Sequence, residues 1–190
     1  MAGAEIHPLT PERWDDLAEL FGERGGSDGC WCMFWRLSAA EYAAGRYEGN
    51  RRAFKRLVGG AQRPPGLLAY LDGEPVGWCA VAPREDFSRL QRSRVLGPLD
   101  ERPVWSVVCF YIDRRRRGSG IARDLLAAAA GFARSHGAQT LEGYPLDPAH
   151  RRPSMSEAYT GVVSIFRDAG FEEVARRGST GRPVYRLELA

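Results

Sequence analysis

Val104-Trp105-Ser106-Val107-Val108-Cys109-Phe110-Tyr111-Ile112 runs directly into Asp113-Arg114-Arg115-Arg116-Arg117-Gly118-Ser119-Gly120-Ile121-Ala122, then into Arg123-Asp124-Leu125-Leu126 and a run of alanines. The order is an apolar strand, a basic glycine-bearing loop and a helix. Glycines at a helix start let several backbone N–H groups point the same way, and the helix dipole makes that end mildly positive. The junction therefore suits a phosphate or pyrophosphate. The arginines add formal charge. A P-loop is excluded, because Ile121 follows Gly120 where Lys and Ser/Thr are required. A dinucleotide loop is excluded by its missing third glycine, although Glu142 stands at the distance expected of that motif's acidic residue.

Outward from this stretch, the pattern predicts a strand over Glu5–Leu9 and a helix opened by Thr10-Pro11-Glu12 and closed by Gly22. A helical region from Ser38 to Gly59 is open to division at Gly45 and Gly49. Leu67–Leu71 and Val76–Val81 read as strands joined by Asp72-Gly73, a strong hairpin signal. Pro83–Pro103 is an arginine-rich connection with one helical turn near Asp86–Leu90. After the central strand come a helix over Ile121–His136, a strand over Thr140–Tyr144 and a loop over Pro145–Pro153. A helix over Tyr159–Ala169 follows, and then an antiparallel pair at Phe171–Ala175 and Val184–Leu189. The order is mixed α/β with one strand–helix–strand crossover at its centre. Cys30-Trp31-Cys32-Met33-Phe34-Trp35 is a dense apolar cluster, readable as core or as one wall of a substrate pocket.

At 190 residues, with 44% hydrophobic and 27% charged residues, the chain reads as one domain spanning 1–190. No eighteen-residue apolar run is present, so no membrane partner is expected. The start lacks a basic flank and an apolar segment, so a cytoplasmic location is expected. Of 27 basic residues all but Lys55 are arginine, yet they are spread along the chain among 24 acids and leave a net charge of only +3. That dispersal argues against a nucleic-acid partner. Cys30 and Cys32 are too close for an ordinary disulfide and one residue short of a C-x-x-C motif. His7, His136 and His150 are scattered, so no metal site is expected, and the four cysteines read as reduced, mostly buried thiols.

Ile112 to Ala122 resembles the strand end and Arg/Gln-x-x-Gly-x-Gly/Ala loop of the GNAT superfamily of acyl-CoA-dependent N-acyltransferases, with Arg117, Gly120 and Ala122 at the motif positions. The alanine- and leucine-rich helix, the strand Thr140–Tyr144, and Ser164-Ile165-Phe166-Arg167-Asp168-Ala169-Gly170-Phe171 extend the likeness over the chain. The resemblance implies a central twisted mixed sheet of six to seven strands flanked by about four helices. It implies acetyl-CoA as cosubstrate and a primary amine as acceptor, attacked directly in a ternary complex. A small-molecule amine is favoured, because the aromatic cluster and Pro83–Pro103 narrow the acceptor site and acids such as Glu142 and Asp147 suit a cation. A protein N-acetyltransferase and a non-catalytic acyl-CoA sensor are the alternatives. Many members are dimers, which makes a homodimer possible.

The resemblance also implies roles for residues. Backbone N–H groups across Arg117, Gly118, Ser119, Gly120, Ile121 and Ala122 would bind pyrophosphate. The pantetheine arm would lie along Phe110-Tyr111-Ile112 as an added strand, with an N–H near Phe110 polarising the thioester carbonyl. The chain departs from the family at two positions: Phe166 stands where a proton-donating tyrosine is common, and Ser106 where some members carry a glutamate. Tyr159, seven residues before Phe166 and on the same predicted helical face, becomes the candidate acid, and Glu142 the candidate base, with Asp147 and His150 weaker. Strand alternation points Cys109 away from Phe110, so it reads as core.

Overall fold

Asp72 and Gly73 take φ of +52° and +80°, the left-handed pair a two-residue hairpin needs. They fold β2 (Gly66–Leu71) antiparallel onto β3 (Glu74–Pro83). The computed structural model of the chain describes residues 3–149, 158–178 and 181–189. Among these, β1 (Glu5–Pro8), β4 (Trp105–Ile112), β5 (Thr140–Gly143), β6 (Glu172–Arg177) and β7 (Arg182–Glu188) complete one sheet of order β1-β2-β3-β4-β5-β7-β6. The β4–β5 pair is parallel and every other pair antiparallel. The mixed α/β expectation holds, with seven strands among the described residues.

Helices cover both faces: α1 (Trp14–Phe21), α2 (Ala39–Ala44), α3 (Glu48–Gly60), α4 (Ser88–Gln91), α5 (Ile121–Ser135) and α6 (Val163–Asp168). α5 forms because Ile121, Leu125, Leu126, Ala129 and Ala133 fall on one stripe, and all five are buried. Its alanines, with Gly77 of β3 beneath Ile121 and Leu125, let the helix approach the sheet closely. Each buried leucine contributes about 1.5–3 kcal/mol by leaving water. On the opposite face, Trp14, Phe54 and Trp78 pack with Val108 and Tyr144 into a second core.

The region Ser38–Gly59 does divide, at Gly45 and not at Gly49, which lies inside α3. α2 starts at a reciprocal cap: Ser38 Oγ accepts from the Glu41 amide at 3.3 Å, and Glu41 Oε2 accepts from the Ser38 amide at 3.0 Å. The expected single helix over Tyr159–Ala169 is corrected. A 3-10 turn spans Ala158–Thr160, Gly161 breaks the path at φ +80°, and α6 begins only at Val163. Tyr159 and Phe166 therefore do not share a helical face. Much of the predicted loop Pro145–Pro153, including His150, lies outside the described residues.

Candidate functional site

β4 pairs with β3 along its whole length but with β5 only from Trp105 to Val107. From Val108 to Ile112 the edge facing away from β3 has no strand partner among the described residues. Beyond β5 the chain bridges instead to the segment before α6. The Leu146 amide donates to Gly161 O at 2.9 Å, and the Val163 amide donates to Leu146 O at 2.9 Å. Between that segment and β4 lies a cavity of about 570 Å³. A bulge marks the point of divergence: Ala80 faces Cys109 while Val81 faces Val107, so Val108 is the extra residue.

The loop after β4 closes one end of this cavity. Asp113 accepts from the Arg115 amide at 2.8 Å and from the Arg115 guanidinium at 3.0 Å, so Arg115 is turned back onto its own loop. Gly118 and Gly120 take φ of +80° and +92°. Gly120 O accepts from the amides of Arg123 and Asp124 and starts α5. Among the described residues, the amides of Arg117 through Ala122 donate no hydrogen bond inside the chain. A Cβ built on Gly118 or Gly120 meets nothing within 4 Å, so the space above the loop is open. Unpaired amides at the start of a fifteen-residue helix fit a phosphate group. Of the residues expected to hold the coenzyme, Phe110, Tyr111, Ile112, Arg117 and Ala122 line the cavity. Gly118, Ser119 and Gly120 are exposed and do not line it, and the Ile121 side chain is buried in the core.

The far wall comes from the segment between α1 and α2. Gly26, Asp28, Cys30, Cys32, Phe34 and Trp35 face the cavity, while Trp31 and Met33 alternate into the core. Asn50 holds this wall in place: its Nδ2 donates to Gly29 O at 2.9 Å and to Tyr42 O at 3.4 Å. Trp31 and Cys32 take φ of +44° and +56°. Two successive left-handed non-glycine residues cost of order 1–3 kcal/mol each, a sign that packing dictates their path. Asp28, the only carboxylate on the lining among the described residues, pairs with Arg46. The predicted narrowing by Pro83–Pro103 takes another form: no residue of it lines the cavity, and it braces the wall from behind. The Arg89 amide donates to Trp35 O at 3.0 Å, and its guanidinium lies 4.2 Å from the Phe34 ring centre.

Cys109 packs against the core as expected and also lines the cavity. It does point away from Phe110, but the cavity wraps the free edge of β4 and touches residues on both faces. Tyr159 lines the same space, with its ring 6.5 Å from that of Phe34. Burial, then the neighbouring Cys109, pushes its phenol up to about 12, so it stays protonated. Phe166 is fully buried against Gly143, Gly161 and Phe110 and belongs to the core.

Glu142 lies elsewhere. It is 1% exposed, does not line the cavity, and accepts from Arg84 through one oxygen and from Arg186 at 2.8 Å through the other. Tyr144 donates to it at 2.6 Å, and Ser106 and Tyr144 hydroxyls meet at 2.9 Å. Arg84 also donates to Leu96 O and so ties the long connection to the sheet. Asp147 is engaged by Arg176 at 3.0 Å. No signal in the local sequence marks Arg84 and Arg186 as the partners of Glu142, because they lie 58 and 44 residues away. The cavity residues Gly161, Val162 and Ile165 were likewise not anticipated. Among the described residues no group of three or more His, Cys, Asp or Glu side chains could hold a metal ion, and no helix is long and apolar enough to cross a membrane.

Residues 30–152 match the family model described as the acetyltransferase (GNAT) family. A search of curated proteins finds no sequence match. Among solved structures, PaiA N-acetyltransferase from Thermoplasma acidophilum in complex with coenzyme A is 15% identical with a TM-score of 0.56, covering 98% of this chain and 99% of that one. YncA from Salmonella typhimurium with its cofactor acetyl-CoA is 14% identical at a TM-score of 0.57, covering 100% and 95%. The GNAT domain of S. lividans PAT is 17% identical at 0.57, covering 97% and 90%. At these identities the likeness is one of fold.

Proposed function

Because the chain belongs to the acetyltransferase (GNAT) family, we propose that it moves the acetyl group of acetyl-CoA onto a primary amine of a small molecule, by direct attack in a ternary complex. The observation that carries this reading is the free edge of β4 running without interruption into the unpaired amides of Arg117–Ala122, both bordering one cavity. Acetyl-CoA supplies an activated acetyl thioester when bound. The amides at the α5 start hold its pyrophosphate, with Arg117 beside them. The edge from Val108 to Ile112 accepts the pantetheine arm as an extra strand, and an amide near Phe110 donates to the thioester carbonyl as charge grows on that oxygen.

The acceptor enters over the aromatic wall. A largely apolar cavity disfavours the ammonium form, so desolvation itself helps to keep the attacking amine neutral. Tyr159, protonated and on the cavity wall, gives its proton to the departing sulfur. We assign Glu142 to positioning and not to proton transfer: its carboxylate bridges Arg84 and Arg186 and so fixes β5 against β7 and the long connection. Release of free thiol from acetyl-CoA, followed over a panel of small amines and lysine peptides, tests the reading. Turnover with small amines is expected. Coenzyme binding without turnover on any amine, or turnover on peptides alone, overturns it.

A further inference from the structure

Four rings meet on the far wall of the cavity. Phe34 stands nearly at right angles to Trp35, with ring centres 4.9 Å apart and planes at 84°, and to Tyr42, at 5.5 Å and 89°. Tyr159 meets its edge at 6.5 Å and 70°. All four line the cavity, and all four are only partly buried in the chain by itself. An edge-to-face array offers flat ring faces and hydrogen-bearing edges together, the two surfaces against which a further ring packs. Cys30 and Cys32 complete this part of the wall with soft, apolar sulfur. Charges around it are few and already engaged. Asp28 and Arg117 are the charged side chains on the lining among the described residues. The Asp28 carboxylate is paired with Arg46, and Arg117 sits in the glycine loop at the other end, where its Nε donates to Ile112 O at 3.4 Å. Behind the wall, the Arg89 guanidinium lies 4.2 Å from the Phe34 ring centre and 5.4 Å from that of Tyr42, so these rings already carry one cation. One ammonium can enter by shedding its proton. A second would find no free carboxylate on the described lining and would stand close to Arg89.

We propose that the acceptor is an arylalkylamine, a single primary amine on a short chain ending in an aromatic ring, and that the ring packs among Phe34, Trp35, Tyr42 and Tyr159. The proposal rests on the amine acetyltransferase reading and names its substrate class. The ring displaces water from four half-covered apolar side chains, and the short chain carries the nitrogen from this wall toward β4. The cavity of about 570 Å³ also has to hold the coenzyme's arm, so the acceptor's body is small. The neutral nitrogen attacks the acetyl carbonyl carbon, a C–N bond forms, the bond to the coenzyme sulfur breaks and its electron pair leaves on that sulfur. The nitrogen loses one proton and the sulfur gains one, so nothing is oxidised or reduced. Phe34 and Tyr42 then decide specificity. Polyamines, with several ammoniums and no ring, are poor acceptors.

The test follows thiol release by the full chain at saturating acetyl-CoA with phenylethylamine, butylamine and spermidine. Loss of the ring should lower kcat/KM by roughly 10²-fold between the first two, the scale on which an apolar pocket discriminates, and spermidine should be poorer still. Phe34→Leu and Tyr42→Leu should each raise KM for phenylethylamine roughly 10-fold and leave the butylamine rate and the calorimetric Kd of acetyl-CoA near wild type. Tyr42 is half-buried on the short helix α2, so its variant keeps the test open should Phe34→Leu fail to fold. Calorimetry of phenylethylamine and butylamine on the chain loaded with free coenzyme A should give the same ranking without chemistry. Spermidine preferred to phenylethylamine, equal kcat/KM with and without the ring, or an unchanged KM in the folded variants overturns the proposal and leaves amine acetylation standing. Coenzyme binding with no turnover on any amine overturns the acetyltransferase reading itself, and the substrate class falls with it.

Discussion

Glu142 and Arg186 face each other in register across β5 and β7, and the Arg186 Nε donates to Glu142 Oε2 at 2.8 Å. Arg186 continues to Asp100 at 2.6 Å, while Arg84 occupies the other oxygen of Glu142. A buried carboxylate between two guanidiniums holds the sheet to the Pro83–Pro103 connection. Removing it leaves two cations without their shared partner.

Glu142→Ala is therefore expected to cost about 3–5 kcal/mol of folding stability, as breaking a buried ion pair does. Urea denaturation followed by circular dichroism measures this. A variant of unchanged stability that has lost turnover would restore Glu142 as a base.

Gly120→Glu is expected to abolish coenzyme binding. The residue sits at φ +92° facing open space, so the new carboxylate strains the backbone and projects into the proposed phosphate site. Gly120→Ala, with the strain but without the charge, should weaken binding less. Calorimetry with acetyl-CoA and with free coenzyme A separates the two effects.

Tyr159→Phe is expected to lower kcat by roughly 10²-fold with little change in coenzyme affinity, the usual loss for one general acid. The phenol lies at about 12, and an acid fails only as pH rises through that value. The wild-type rate should then show no alkaline fall attributable to this group across the neutral and moderately alkaline range. A coenzyme Kd raised in step with the fall in kcat would make Tyr159 a binding residue instead.

Phe166 and Gly143 form a lock between α6 and β5. Phe166→Ala is expected to destabilise by about 3–5 kcal/mol through the cavity it leaves. Gly143→Ala should cost about 1–3 kcal/mol, because its Cβ would fall on the Phe166 ring. Thermal unfolding of both variants checks the pair. Phe166→Tyr should not raise turnover, since its hydroxyl would be buried in the core and not placed in the cavity.

The strand–loop–helix run from Val104 to Ala122 was legible in the sequence because its determinants are local. Apolar residues, glycines at required left-handed positions and a small-residue helix stripe all act within a few residues of one another. The Asp72-Gly73 hairpin and the Ser38–Glu41 cap belong to the same class. The glycine loop before α5 could be read in this way before any contact between distant segments was known.

The fate of single side chains could not. Glu142 looks like an available strand carboxylate until β7 and the long connection bring Arg186 and Arg84 onto it. Cys109 packs against the core as its place in the strand suggests, but only the departure of β5 after Gly143 opens the edge of β4 beside it to a cavity. Backbone conformation follows from neighbours along the chain, whereas charge state and access to the cavity depend on groups tens of residues away that folding alone brings together.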